Sequence, residues 1–233
     1  MLEIRDLNVF YGEFQALSNI DLDVEALRIV SLMGANSAGK STLLNTISGI
    51  LRPGSGTITF EGKRIDGLEP HVIVDLGIAL VPEGRKIFSN LTVRENLLIG
   101  SYTSRARELR GETFENILDL FPHLKERLRQ KAGDLSGGEQ QMLSIGRALM
   151  SKPHFIMFDE ISLGLGPLVV KELYGTIEKM NHKGLTVILV EQDINQGLKV
   201  SDFACILQEG RIRLKGNPGY FTEDMVKKAY FGL

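Results

Sequence analysis

The sequence is poor in several things, and each shortage narrows what the protein can be. A single cysteine, Cys205, excludes an intramolecular disulfide, and its apolar setting "FACILQ" predicts a buried thiol in a reducing compartment, not a nucleophile. Long apolar runs are missing: none approaches the roughly 18 residues that cross a bilayer. The N-terminus "MLEIRDLNVF" carries charges within its first six residues and so lacks the apolar core of a signal peptide. Direct membrane insertion is therefore not expected, a cytoplasmic protein is the default, and any membrane role has to come through a partner. A basic excess is also absent, with 27 Lys and Arg against 29 Asp and Glu and a net charge of −2, which argues against a nucleic-acid partner held by phosphate neutralisation. No internal repeat or low-complexity tract occurs.

What is present is a 233-residue chain that is 43% hydrophobic, enough for a sizeable core. Leu2–Val9 and Ile20–Val24 alternate apolar and polar residues and predict half-exposed antiparallel strands. The segment 56–65, "GTITFEGKRI", predicts a hairpin turning at Glu61-Gly62. Three runs are continuously apolar, "RIVSLM" (28–33), "FIMF" (155–158) and "TVILV" (186–190), the mark of parallel strands covered on both faces. Between about Ile87 and Met150 strand signals fade, and Phe114, Ile117, Leu118, Phe121, Leu124 and Leu128 recur at helical spacing with a break near Pro122. The last third gives a helix, a hairpin in "FACILQEGRIRLKG" and a charged C-terminal helix. The expectation is an α/β fold in one domain, residues 1–233. Residues 1–86 and 151–233 form its core and β layer, and 87–150 form an inserted helical subdomain.

The chemistry starts at "GANSAGKST". Gly34, Ala35, Asn36, Ser37, Ala38, Gly39, Lys40, Ser41 and Thr42 follow an apolar strand and open "KSTLLNTISGIL", where Leu43, Leu44, Ile47, Ile50 and Leu51 predict an apolar helix face. A glycine-framed loop between strand and helix presents N–H groups to phosphate oxygens, Lys40 reaches the β and γ phosphates, and the Ser41 hydroxyl suits Mg²⁺. At the end of "FIMF" stand Asp159 and Glu160, on the sheet edge where ligands of open α/β folds bind. Asp159 is the candidate metal ligand, and Glu160 the candidate for orienting and polarising an attacking water.

The segment "LSGGEQQ" (135–141) resembles the signature of ATP-binding cassette (ABC) ATPases, and with it the whole chain follows that family's order. The resemblance implies a P-loop NTPase (RecA-like) core with an antiparallel β subdomain and an inserted α-helical subdomain. It implies that Tyr11 stacks on adenine, that Glu83 sits at the Q-loop position near the metal, and that Gly34–Ser41 is the Walker A loop. It further implies a dimer in which Ser136, Gly137, Gly138 and Glu139 of one subunit meet the γ-phosphate held by the other. Read from the residues alone, Ser136 with Glu139 three positions on is also a capping box. The stretches "VPEGRKIFSNLTVRENL", "LFPHLKERL", "SLGLGP" and "VEQD" look most like ATPase subunits of bacterial importers for branched-chain amino acids; transporters of urea or other amides share much of this wording. The implied cofactors are ATP and Mg²⁺. The implied partners are two membrane permease subunits, a companion ATPase subunit and, indirectly, an extracytoplasmic binding protein, with the chain peripheral on the cytoplasmic face of the membrane. A GTPase would need an Asn-Lys-x-Asp segment, which is absent. A DNA-repair or translation module would usually bring a tandem cassette or long coiled coil, and neither occurs.

The sequence departs from the family's pattern in four places. Ser37 replaces a glycine, Leu27-Arg28 stands for a Gly-Glu turn, Ile161 replaces the proline after the catalytic glutamate, and Gly166 replaces an alanine or aspartate. If position 37 needs a left-handed backbone, the serine costs about 1 kcal/mol and weakens the cradle. Gln192 stands where the family has a γ-phosphate-sensing histidine, as in the branched-chain subfamily, which predicts slow hydrolysis alone and faster hydrolysis opposite a companion that supplies the histidine.

Overall fold

The computed structural model describes residues 1–232. The chain starts with β1 (Leu2–Tyr11), β2 (Phe14–Val24) and β3 (Ile29–Met33), then α1 (Lys40–Ile47), β4 (Ser55–Phe60), β5 (Lys63–Arg64), α2 (Pro70–Asp75) and β6 (Ile78–Val81). Five helices follow: α3 (Val93–Ile99), α4 (Ser104–Glu108), α5 (Arg110–Leu120), α6 (Pro122–Lys125) and α7 (Gly137–Leu149). The chain closes with β7 (Phe155–Asp159), α8 (Pro167–His182), β8 (Thr186–Glu191), α9 (Ile194–Val200), β9 (Phe203–Gln208), β10 (Arg211–Gly216) and α10 (Glu223–Phe231).

Two sheets result. One is antiparallel, in the order β2-β1-β4-β5, with the alternation of β1 burying Leu2, Ile4, Leu7 and Val9. Its β4–β5 hairpin turns at Glu61 (φ 50°) and Gly62 (φ 77°), the two left-handed residues that match the twist of paired strands. The other sheet has the order β10-β9-β3-β8-β7-β6, parallel except for β10. Every residue of β3, β7 and β8 is buried, because the sheet is covered on both faces. One apolar core lies between the two sheets and takes in Leu43, Leu44 and Ile47 of α1. A second core joins the opposite face of the parallel sheet to α3, α5, α7 and α8, so the inserted helices share their core with β7 and β8.

One expectation is corrected. Helix α1 stops at Ile47 because Gly49 turns left-handed (φ 77°), so Ile50 does not extend its apolar face and is 58% exposed. The strand β6, four residues of "IALV", is too short an apolar run to have a period of its own; its place at the sheet edge comes from pairing with β7. The break near Pro122 falls as predicted, between α5 and α6. Cys205 is fully buried in β9, and burial pushes its thiol pKa up to about 12, which fits an inert core residue.

Candidate nucleotide site

Three strands bring the site together. In the parallel register Met33 lies opposite Glu191, and Asp159 opposite Val190, so β3, β7 and β8 end on one edge. The residues just beyond them are Gly34, Glu160 and Gln192. This is why segments more than 100 residues apart in sequence meet in one cleft of about 520 Å³, lined by Tyr11, Phe14, Ala16, Asn36, Ser37, Gly39, Lys40, Ser41, Thr42, Glu83, Glu160, Leu163 and Gln192.

The loop wraps the Lys40 amine. Lys40 is 3% exposed, and its Nζ donates to the carbonyls of Gly34 (2.8 Å) and Ala35 (3.0 Å) and lies 3.2 Å from Glu160 Oε1. Gln192 Nε2 donates to the other oxygen of Glu160. A Cβ on Gly39 (φ 104°) would stand 2.6 Å from the Leu17 side chain, so the turn into α1 needs glycine there. The neighbouring hairpin tip fixes the loop from outside: Gly210 donates to the Ala38 carbonyl and accepts from the amide of Ser18 in β2. Ser37 has the left-handed backbone anticipated for it (φ 64°), and Leu27 does too (φ 62°). Ile161 packs into the core at 2% exposure, whereas Gly166 heads α8 without a side-chain cap.

Below the loop, Ser41 Oγ donates to Asp159 Oδ1 at 3.1 Å. Burial raises the pKa of Asp159; Ser41 and Lys40 oppose this, and the charges of Glu160 and Glu83 add to it. A crowded, buried carboxylate beside a hydroxyl fits a hard cation, whose charge would relieve that repulsion. No cluster of three His, Cys, Asp or Glu occurs among the described residues. At the mouth of the cleft Tyr11 and Phe14 are paired across the β1–β2 turn and are 48% and 70% exposed, with the Tyr11 hydroxyl 3.5 Å from Thr42 Oγ1. Phe14 was missed in the sequence; the signal was available in "FYGEF", two aromatics flanking a turn glycine at the end of otherwise alternating strands.

The signature residues lie elsewhere. Ser136 caps α7, accepting from the amide of Glu139, and the Glu139 carboxylate returns a bond to the Ser136 amide at 2.8 Å and pairs with Arg127 at 2.8 Å. Burial opposes the charge on Glu139, but the Ser136 bonds, Arg127 and His123 together hold its pKa below the ordinary value. None of residues 135–139 lines the cleft that holds Lys40.

Comparison with known proteins places the chain among relatives. Residues 17–162 match the profile of the ABC transporter family. The chain is 46% identical, over 100% of both chains, to the high-affinity branched-chain amino acid transport ATP-binding protein BraG of Pseudomonas aeruginosa. It is 38% identical to the probable branched-chain amino acid transport ATP-binding protein LivF of Archaeoglobus fulgidus, covering 96% of this chain and 94% of that one. Among solved structures it resembles the ADP conformation of MJ1267, an ATP-binding cassette of an ABC transporter, with 29% identity and TM-score 0.85 over 98% of this chain and 93% of the other. It also resembles the dimeric post-hydrolysis state of the cassette MJ0796 bound to ADP and Pi, with 26% identity and TM-score 0.80 over 95% and 100%. With its phosphate loop, paired carboxylates and signature helix in this order on this fold, the chain belongs to the ABC transporter family as one of its ATP-binding, ATP-hydrolysing cassettes.

Proposed function

We propose that the chain powers uptake of branched-chain, hydrophobic amino acids, hydrolysing ATP at the cleft on the β3–β7–β8 edge while docked on two membrane permease subunits. The observation that carries the reading is the chain from buried Lys40 through Glu160 to Gln192, beside the Ser41–Asp159 pair. Similarity to BraG and LivF along nearly the whole chain supports the cargo. No helix among the described residues is long and apolar enough to cross a membrane, so in this reading the chain sits peripherally on the cytoplasmic face and acts through its partners.

In this reading the amides of Gly34–Thr42 and the α1 N-terminus hold the β and γ phosphates, and Lys40 turns its amine from Glu160 toward them. Tyr11 stacks on the adenine, with Phe14 beside it. Ser41, Asp159 and the nearby Glu83 would hold Mg²⁺, whose charge would neutralise that of the phosphates. Glu160 orients the attacking water and takes its proton, and Gln192 fixes the second oxygen of that carboxylate while its amide can donate to the γ-phosphate. The helical segment 87–150 serves as the arm that carries Ser136, Gly137, Gly138 and Glu139 to the site of a second subunit, either a like chain or a companion ATPase. An extracytoplasmic binding protein completes the importer.

Glu160→Gln tests the chemistry: ATP binding persists, and turnover falls at least about a hundredfold, as when a positioned general base is lost. Parental turnover in that variant removes Glu160 from the role. Cargo is tested by co-purifying the chain with its permeases and following substrate-stimulated ATPase over leucine, isoleucine, valine, urea and short amides. Stimulation by urea or amides alone would reassign it.

A further inference from the structure

Behind the cleft a second buried carboxyl stands outside the mechanism above. Glu191 ends β8, directly before Gln192, and is 2% exposed. Its Oε2 accepts a hydrogen bond from Ser162 Oγ at 2.8 Å, and Ser162 lies two residues after Glu160. The two short segments that carry Glu160 and Gln192 are thus tied three times. Gln192 donates to the Glu160 side chain in front, Ser162 donates to Glu191 behind, and the Glu160 amide donates to the Val190 carbonyl at 3.1 Å between them.

Two further observations give this tie a purpose. Glu160 has a left-handed backbone (φ 47°), and both its amide and its side chain are held by Val190 and Gln192 at the end of β8. Glu191 itself is buried, and besides Ser162 it faces the buried hydroxyl of Tyr174 on α8. A carboxyl so deep in the core is costly to keep and asks for an explanation beyond packing.

We propose that Glu191, acting through Ser162, is a positioning residue for ATP hydrolysis: it holds the Glu160 carboxylate and the Gln192 amide in one geometry from behind, without touching the nucleotide. The inference rests on the reading of Glu160 as the residue that orients water. Burial, with the charges of Glu160 and Asp193, raises the pKa of Glu191 against the hydroxyls of Tyr174 and Ser162. A neutral isostere that still accepts from Ser162 should therefore serve in its place.

The test measures kcat and ATP affinity for Ser162→Ala, Glu191→Leu, Glu191→Gln and the double variant Ser162→Ala/Glu191→Leu, with Glu160→Gln as control and thermal unfolding alongside. Ser162→Ala and Glu191→Leu should each lower kcat about tenfold with ATP affinity unchanged, since a small misplacement of a catalytic group acts on the chemical step. The double variant should fall no lower than the worse single one, because both remove the same bond. Glu191→Gln should restore kcat, which a requirement for charge would not predict, while Ser162→Ala removes the bond and leaves the bulk of Glu191 in place. If Ser162→Ala and Glu191→Leu keep parental kcat while Glu160→Gln is inactive, the positioning role is overturned and the reading of Glu160 stands. If Glu160→Gln is itself active, that reading fails and takes this inference with it. Should Glu191→Leu fail to fold, Ser162→Ala alone decides, and parental kcat there overturns the proposal.

Discussion

At Ser37 and Leu27 the chain places side chains where the backbone is left-handed, φ 64° and 62°. The sequence pointed to strain at Ser37 and expected it to weaken the phosphate cradle. The strain belongs to the folded loop itself, so its relief should register mainly in stability. Ser37→Gly and Leu27→Gly are each expected to raise the unfolding free energy by about 0.5–1 kcal/mol, the left-handed penalty reduced by glycine's extra freedom in the unfolded chain. Chemical denaturation of the two variants checks this, and unchanged or lower midpoints would show that local contacts, such as the Leu27 amide on Thr186 Oγ1 at 2.9 Å, already compensate. ATP affinity of Ser37→Gly should rise less than its stability implies. Asp159, Glu160 and Lys40 were legible at this scale because each residue type has one obvious use beside a phosphate. The bond from Gln192 to Glu160 was not, since it depends on a register between strands.

The N-terminus of helix α7 has a structural use and, in the proposed dimer, a second one. The capping box of Ser136 and Glu139, braced by Arg127, satisfies amides that would otherwise lack partners. In the proposed dimer the same turn faces an anion. The two uses separate by substitution. Ser136→Ala should lower stability by about 1 kcal/mol through loss of the cap. Ser136→Asp keeps a good cap, so the melting temperature should stay near the parent's, but its carboxylate opposes phosphate and turnover should fall at least about tenfold. Full activity in a stable Ser136→Asp protein would confine the segment to its structural role. The capping pattern was readable from "SGGE" alone. The failure of α1 to reach Ile50 was not, because Leu43, Leu44, Ile47, Ile50 and Leu51 keep a helical spacing across Gly49, whose left-handed φ ends the helix.

Across the whole molecule, residues 135–139 do not line the cleft that holds Lys40, and in the proposed dimer the signature turn of one chain completes the cleft of the other. Complementation follows. Lys40→Ala and Ser136→Asp proteins should each be inactive alone, yet an equal mixture should regain about a quarter of parental turnover, since half of randomly paired dimers carry one intact composite site of two. Steady-state ATPase at a protein concentration that supports pairing checks this. A mixture as inactive as its components would mean that each chain completes its own site, or that both sites of a dimer must be intact to fire.

The sequence by itself determined the α/β class, the phosphate loop, the carboxylates at the end of β7 and the helical stretch from Phe114 to Leu124. Each of these is written in local patterns: continuous apolar runs, glycine spacing and a helical period. Only the tertiary structure decided which strands share an edge, that the short strand "IALV" completes the sheet, and that the inserted helices share a core with β7 and β8. It alone also brought Phe14 to the mouth of the cleft and set Glu191 and Ser162 behind it. The physical reason is that these facts depend on pairings between residues far apart in the chain. A buried glutamate before Gln192 looks like any strand-end carboxylate until parallel pairing of β7 with β8 sets it beside the segment that follows Glu160.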